Sequence, residues 1–123
     1  MQIVKSEQLV CFDVDDSLIL HRKAKKKDKV VCFTDPYDGS QHYVVVHEPH
    51  IKVLKDRKAR GATVVVWSQS GWAWAESVVR ALGISQYVDL IASKPILVVD
   101  DKPVEQWMGE RLYLDPDSKY GKF

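Results

Sequence analysis

Short apolar runs bounded by polar or turn-forming residues recur along the chain, and they predict a series of β-strands. Residues 8–13 are rich in Val and Phe, which favour strands. Residues 63–67 are nearly all β-branched, which is typical of a central strand covered on both faces. Residues 30–33 and 42–47 flank a stretch of turn formers and predict a β-hairpin directly after the first strand. Further strands are predicted at residues 88–91, 96–99 and 111–114.

Helical segments alternate with these strands. Pro49 suits the first position of a helix and Gly61 suits a C-terminal cap, so a helix is predicted between them. From Gly71 to Leu82 the apolar residues recur on one helical face, and Gly83 should end that helix. Pro103 opens a third, short helix. Alternating strands and helices predict an α/β fold with a mostly parallel sheet, and 123 residues fit a single domain.

The sequence shows no segment of the kind that enters a membrane. No apolar stretch approaches the length of a membrane span, and the N-terminus lacks the long hydrophobic region of a signal peptide. We therefore expect a soluble, cytoplasmic protein without membrane contact. Residues from Asp117 onward are expected to be disordered, and the sequence does not indicate an oligomeric state.

The positive charge of the chain is concentrated in one segment. Residues 21–29 hold six of the eighteen Lys and Arg residues and one of the seventeen acids. This basic segment contributes +5 to a net charge of +1, so the remainder of the chain carries about −4. Two interpretations stay open: a contact surface for nucleic acid, or the solvated stem of the hairpin.

Aspartates are crowded at the ends of two predicted strands. Asp13, Asp15 and Asp16 follow the first apolar run, and Asp100 and Asp101 follow a later one. Carboxylates this close repel one another unless a cation shares the site or a pKa is raised. Oxygen ligands that converge at one edge of a sheet suit a hard divalent ion such as magnesium. The alternative is that both acidic clusters are solvated turns or helix caps.

With these acids and this strand order, the chain resembles the haloacid dehalogenase-like superfamily of phosphatases. Residues 13–18 (DVDDSL) resemble its first motif, Ser68 at a strand end resembles its second, and Asp100 with Asp101 resembles its fourth. The resemblance implies a Rossmann-like sheet ordered fifth, fourth, first, second, third strand, with the site at its carboxyl edge. It also implies a small, capless single domain of residues 1–123, in which the hairpin of about residues 19–47 is the flap.

The same resemblance implies a mechanism and a set of site residues. Asp13 would attack the phosphoryl group and form an aspartyl-phosphate, while Mg²⁺ reduces the repulsion between carboxylate and phosphate. Asp15 would protonate the leaving oxygen and then activate water, and its backbone carbonyl would bind the metal. Asp100 would complete the metal ligands, with Asp101 bound to the metal or just behind its ligands. Ser68 would donate a hydrogen bond to a phosphoryl oxygen.

The chain departs from the superfamily's pattern at the third motif, which is a Lys or Arg ahead of the fourth motif. Lys94 matches it by sequence. If residues 96–99 are extended, however, Lys94 lies about 20 Å from Asp100 at about 3.3 Å per residue, at the wrong end of the strand. Lys94, Lys102 and a flap lysine therefore all stay candidates for the cation that binds the substrate phosphate. The connection before residues 96–99 is also too short for a parallel crossover, which predicts a third strand that is degenerate or not parallel.

The sequence supports weaker expectations for a few other side chains. Gln69 follows the second motif in the same loop and is placed to contact substrate. Trp72 and Trp74 are expected in the core, although Trp72 opens a helix beside the phosphate site and could stack on a base or sugar. The histidines lack metal-ligand spacing with cysteines and are expected on the hairpin or helix surface: His21, His42, His47 and His50.

Together these features predict a magnesium-dependent phosphomonoester hydrolase acting through an aspartyl-phosphate intermediate. One alternative is a narrower activity on nucleic-acid ends or nucleotides, which the basic segment suggests. The other is a binding protein that keeps the fold without turnover, although two intact acids at Asp13 and Asp15 argue against it. The sequence does not name the substrate, since specificity in this superfamily resides in the flap and cap.

Overall fold

The computed structural model describes residues 1–117, and strands alternate with helices along them. The strands and helices are, in chain order, β1 (Leu9–Asp13), β2 (Ile19–Leu20), β3 (Val30–Thr34), β4 (Gln41–Val46), α1 (Glu48–Ala59), β5 (Thr63–Ser68), α2 (Trp72–Leu82) and β6 (Leu90–Ser93). Two short 3₁₀ helices lie at Ser85–Tyr87 and Val104–Gln106. The prediction of an α/β fold is confirmed.

The central sheet is parallel and has the order β1-β5-β6. Its middle strand, β5, buries three consecutive valines, Val64, Val65 and Val66. Because neighbouring residues of a strand point to opposite faces, both faces of β5 are covered. Helices α1 and α2 both contact this strand. The β-branched run of the sequence therefore forms the central strand that it predicts.

A small antiparallel sheet of order β2-β4-β3 follows β1 and contains the predicted hairpin. Phe33 of this hairpin is buried and meets the Trp74 ring of α2 edge to face, with the ring centres 5.0 Å apart. At the hairpin tip, the Tyr37 hydroxyl donates a hydrogen bond to the Ser70 carbonyl in the loop after β5. The hairpin is thus held against α2 and against the carboxyl edge of the parallel sheet.

The two helices begin and end close to the predicted residues. His47 is the N-cap of α1, with its side chain accepting a hydrogen bond from the His50 N–H, and Pro49 lies in the first turn. Gly83 ends α2 in the left-handed conformation, at φ 68°. An L-residue with a Cβ rarely adopts this conformation, which is why glycine ends the helix there.

Two predicted strands are wrong. Residues 96–99 pair with no strand among residues 1–117, and Val99 is 92% exposed. Only two residues separate them from β6, whereas a parallel crossover needs about a dozen. The expectation that the third strand is degenerate or not parallel is also wrong, because β6 pairs in parallel with β5. Residues 111–114 likewise form no strand.

The sheet therefore contains the first, second and third strands of the expected order, and residues 1–117 supply no fourth or fifth strand beside β1. In the same residues, no helix is both long and apolar enough to span a membrane. The predicted disorder from Asp117 onward falls almost wholly outside the described residues.

Candidate active site

The loop after β1 is organised around one buried carbonyl group. The Val14 oxygen accepts backbone hydrogen bonds from Ser17, Leu18 and Ile19, at 3.2, 2.9 and 3.2 Å. This tight turn requires a positive φ of 59° at Asp16, a conformation that aspartate tolerates better than most residues. The turn thereby holds the carboxylates of Asp13, Asp15 and Asp16 at the carboxyl end of β1, as the sequence predicts.

Asp13 is the last residue of β1 and receives a contact on each carboxylate oxygen. The Ser17 hydroxyl donates a hydrogen bond to Oδ2 at 3.2 Å. The Lys94 ammonium lies 3.6 Å from Oδ1, and both of these side chains are 35% exposed. Asp13 is therefore fixed in orientation, faces a cation and is accessible from solvent.

Lys94 reaches Asp13 because it directly follows β6. Parallel strands end at the same edge of a sheet, so the residue after β6 lies on the same edge as the residue that ends β1. Its backbone N–H also donates a hydrogen bond to the Ser68 carbonyl at 2.9 Å. The position of Lys94 is set by β6 and not, as the sequence pattern predicts, by a strand at residues 96–99. Lys94 is thus the one predicted cation that lies beside Asp13 in the described chain.

Asp15 is held by two side chains from different parts of the fold. The Trp74 indole N–H donates to Asp15 Oδ1 at 3.2 Å, and the Nε2 atom of His21 lies 2.7 Å from the same oxygen. Trp74 is buried, as expected, whereas Trp72 is exposed, contrary to expectation. Both contacts are made to Oδ1, and no hydrogen bond to Oδ2 of Asp15 is formed within the described residues. The hairpin contributes indirectly, because its Phe33 ring packs against the Trp74 ring.

Asp13, Asp15, Asp16, Ser17 and Lys94 line a cavity of about 590 Å³. Its other wall is formed by the C-terminal strap, which we define as residues 108–117. The strap residues that line the cavity are Met108, Glu110, Arg111, Leu112 and Tyr113. The Tyr113 hydroxyl donates a hydrogen bond to the Asp16 carbonyl at 3.0 Å, which fixes the strap to the acidic loop.

Two stacked histidines hold the strap in place. The rings of His47 and His50 are 3.6 Å apart and nearly parallel. His47 Nε2 donates to the Leu114 carbonyl at 3.0 Å, while the Leu114 N–H donates to His50 Nε2 at 2.9 Å. His50 Nδ1 donates in turn to the Ser17 carbonyl at 2.6 Å. The expectation that these two histidines lie on the surface is wrong, because both are buried.

The environment of these histidines favours their neutral forms. Burial lowers the pKa of both rings, and the proximity of His50 lowers the pKa of His47 further. The hydrogen bonds assign the protons: His47 Nδ1 accepts from the His50 N–H, and His50 Nε2 accepts from Leu114. A second proton on either ring would face an N–H donor. The strap therefore depends on two uncharged imidazoles.

Ser68 lies in the interior of the protein and is not open to solvent. It is completely buried, and its hydroxyl accepts a hydrogen bond from the Ser70 N–H at 3.0 Å. It does not line the cavity beside Asp13, and neither does Gln69, which is exposed. The hydroxyl that meets the start of α2 belongs to Ser93, which accepts a hydrogen bond from the Trp72 N–H at 3.0 Å.

The fourth motif is not brought to the cavity. Asp100, Asp101 and Lys102 are exposed and do not line it, because the residues before them do not join the sheet. Asp100 instead accepts a hydrogen bond from the Lys102 backbone N–H at 3.1 Å. In residues 1–117, no three His, Cys, Asp or Glu side chains are arranged to hold a metal ion. The predicted set of magnesium ligands therefore does not assemble in these residues, because Asp100 and Asp101 lie outside the cavity that Asp13 and Asp15 line.

Several residues of this site carried no recognisable sequence signal. His21 contacts Asp15 only because the tight turn at Asp16 folds the chain back. The strap reaches the cavity through contacts such as that between Leu114 and His50, which are 64 residues apart. Only Trp74 had a partial signal, since its position beside the apolar face of α2 predicts burial.

Comparisons with protein-family models, curated proteins and solved structures found no match to this chain. The resemblance to the phosphatase superfamily therefore rests on the motifs of this sequence, and the site must be judged by its own geometry.

Proposed function

We propose that this protein hydrolyses a phosphate monoester through an aspartyl-phosphate on Asp13. The observation that carries the proposal is the position of Asp13 in an open cavity, with the Ser17 hydroxyl and the Lys94 ammonium on its two oxygens. A carboxylate and a phosphate repel each other, and a cation 3.6 Å from the carboxylate reduces that repulsion.

In the first half-reaction, a carboxylate oxygen of Asp13 forms a bond to phosphorus as the ester P–O bond breaks. The electron pair of that bond stays with the leaving oxygen, which takes a proton from Asp15. Lys94 binds the phosphoryl oxygens during this step. Ser17 orients the nucleophile through its hydrogen bond to Oδ2 of Asp13.

In the second half-reaction, water attacks the phosphorus atom of the aspartyl-phosphate. Asp15 takes a proton from this water as the P–O bond to Asp13 breaks, which releases inorganic phosphate and restores both carboxyl groups. Trp74 and His21 both contact Oδ1 of Asp15, so we assign the proton transfers to Oδ2. These contacts hold the acid in one orientation for both steps.

Magnesium remains part of the proposal as the ion that Asp13 and Asp15 would bind. It would supply additional positive charge beside the phosphate. The proposed roles of Asp100 and Asp101 as its other ligands have no support from the geometry, since both lie outside the cavity. No step above therefore depends on them.

The decisive experiment is a panel of phosphate monoesters assayed with and without magnesium, for wild type and Asp13→Asn. Asn keeps the size of the side chain but is not a nucleophile, so phosphate release should fall by several orders of magnitude. The matched control is Asp16→Asn. It removes the same charge from the same loop, tolerates the positive φ and keeps an oxygen that accepts from the His21 N–H.

A panel without turnover in any condition would refute the proposal and favour the binding-protein alternative. Undiminished phosphate release by Asp13→Asn would refute the role of this residue. Trapping the phosphoenzyme with acid, followed by mass spectrometry of the peptide that contains Asp13, gives an independent measure of the intermediate.

A further inference from the structure

A second cleft of about 660 Å³ lies between the basic segment, the start of α1 and the end of the strap. Five of the eleven residues that line it are lysines, and three are acids, Asp28, Glu48 and Asp117. The cations that line it are Lys25, Lys26, Lys27, Lys29 and Lys52. Asp117 of the strap is also in this cleft, and its carboxylate lies against the basic segment.

The Asp117 carboxylate binds one cation with each oxygen. Its Oδ1 accepts a hydrogen bond from Arg22 Nη2 at 3.1 Å, and its Oδ2 accepts one from Lys25 Nζ at 3.0 Å. The hydrogen bond from Lys25, followed by the charges of both cations, lowers the pKa of Asp117. Arg22 and Lys25 therefore already act as an anion site, with a carboxylate of the same chain as its occupant.

Arg22 and Lys25 are held in place by a turn rather than by Asp117 alone. Asp28 closes this turn: its Oδ2 accepts from the Lys25 N–H at 2.7 Å, and its own N–H donates to the Lys25 carbonyl at 3.0 Å. The same Oδ2 lies 3.2 Å from Arg22 Nη1, but at an angle that makes no hydrogen bond. Nη1 is buried beside this carboxylate, so the Asp28 side chain holds the guanidinium in place while Nη2 faces Asp117.

This anion site and the Asp13 cavity are built from the same two segments of the chain, the start of the basic segment and the strap. Arg22 directly follows His21, whose ring contacts Asp15 at 2.7 Å. The strap borders both places, because Tyr113 lines the cavity and Asp117 lies in the basic cleft. The segments that contact Asp15 and line the Asp13 cavity therefore continue directly into the residues of this anion site, which offers cations to the further phosphates of a ligand bound at Asp13.

We propose that Arg22 and Lys25 form a subsite for an internal phosphate of a nucleic-acid strand, and that Asp117 occupies this subsite until the strand displaces it. The proposal rests on the proposed function, in which the terminal phosphate of the strand reaches Asp13. A carboxylate and a phosphate both accept hydrogen bonds from the paired N–H donors of arginine. A phosphate can therefore replace the Asp117 carboxylate without rearrangement of the site.

Displacement of Asp117 costs little, since its side chain is 48% exposed and exposed ion pairs are weak. A strand offers a repeating row of phosphates to the six cations of residues 21–29, whereas a small monoester offers one. The charge arrangement therefore favours a polymeric substrate over a small one.

The test is the binding of a single-stranded oligonucleotide with a terminal phosphate, measured by fluorescence anisotropy in the Asp13→Asn background so that no turnover occurs. Adding Asp117→Asn should raise the affinity about two- to fivefold, because an exposed competing ion pair is lost. Adding Lys25→Gln or Arg22→Gln should weaken binding, and each should flatten the slope of log affinity against log salt by about 0.7.

Matched controls separate a local effect from a change in net charge. Asp115→Asn removes the same charge from the strap, and Lys23→Gln removes the same charge from the basic segment. Asp115→Asn should change the affinity less than Asp117→Asn does, and Lys23→Gln should change it less than Lys25→Gln does. In the background of both Arg22→Gln and Lys25→Gln, Asp117→Asn should give little further gain, because both cations that bind its carboxylate are then gone.

The proposal is overturned if Asp117→Asn leaves the affinity unchanged, or if Asp115→Asn raises it equally. Binding of polyglutamate of equal charge as tightly as the oligonucleotide would overturn the assignment to nucleic acid. Lys25 is 62% exposed, so its variant should fold even if Arg22→Gln does not. Because the readout is binding, failure here leaves the hydrolase proposal intact, and loss of that proposal leaves the binding result valid.

Discussion

Acidification should destabilise this protein through the two histidines that hold the strap. His47 and His50 are buried, and their hydrogen bonds to Leu114 and to each other require both rings to be neutral. Burial lowers the pKa of each ring in the folded state, while the unfolded chain keeps the ordinary value near 6.5. The hydrogen bond to the Leu114 carbonyl, and more weakly the charge of Asp115, raises the pKa of His47, and the Ser17 carbonyl raises that of His50, but each of these effects is smaller than that of burial.

The sign of the effect follows from proton linkage. Above about pH 6.5 the histidines are neutral in both states, and the stabilisation from burying them neutral is fully present. As the pH falls below 6.5, the unfolded state takes up protons that the folded state does not. The free energy of unfolding then decreases by at most about 1.4 kcal/mol per pH unit for each histidine. Below the folded-state pKa values the slope disappears.

The structure therefore sets an upper limit of about 2.5 kcal/mol for the loss between pH 7 and pH 5.5, if neither folded ring takes up a proton. This is a large part of the about 5–15 kcal/mol that stabilises an ordinary domain. The limit is measurable by urea unfolding at a series of pH values.

The variant that tests this account is His47→Asn with His50→Asn. Asn is a good N-cap residue at position 47, and at position 50 its amide can still donate toward the Ser17 carbonyl. The double variant should be less stable at pH 7.5 by about 1–3 kcal/mol, since the hydrogen bonds to Leu114 are lost. Its stability should also fall less with acidification than that of the wild type. His42→Asn in the hairpin is the control; a double variant that keeps the wild-type pH slope would contradict the reasoning.

Three further outcomes follow from the site and the core. Lys94→Gln should lower kcat/KM for a phosphate monoester by about 10²–10³, and by more than Lys102→Gln does, in steady-state kinetics; equal effects would contradict the position of Lys94. Trp74→Phe keeps an aromatic ring but removes the N–H that Asp15 accepts, so kcat should fall about tenfold or more with little change in KM. Phe33→Ala should destabilise the protein by about 3–5 kcal/mol in urea unfolding, because it removes a buried ring.

Most of the fold could be predicted because local pattern and tertiary structure agree. The valine run of β5, the hairpin and the glycine at the end of α2 each carry their signal within a few residues. Residues 96–99 have an equally strong apolar pattern and yet form no strand. An apolar run predicts a tendency to be buried, but strand pairing also needs a connection long enough to reach the sheet, and this one is too short.

The position of Asp13 was predictable because it ends a strand, whereas that of Lys94 was not, because the apolar pattern places Lys94 before a strand at residues 96–99 instead of after β6. Asp13 ends β1, and Lys94 follows β6, so the shared edge of a parallel sheet brings them together. The contacts of Asp15 and Leu114 were not predictable, since they depend on where loops and the strap run in three dimensions. A lone histidine such as His50 has no sequence context that distinguishes a buried ring from an exposed one.

The charge balance of the acidic loop explains how it folds with its carboxylates so close together. Asp13 is compensated by Lys94, and Asp15 accepts from Trp74 and contacts His21. Asp16 accepts from the His21 N–H. Each of the three acids therefore has a partner within the described chain. These partners offset the repulsion between the carboxylates, which, judged from the sequence alone, requires a metal ion. A metal that binds Asp13 and Asp15 would add to this arrangement, so its main effect should be on phosphate chemistry rather than on the folding of the loop.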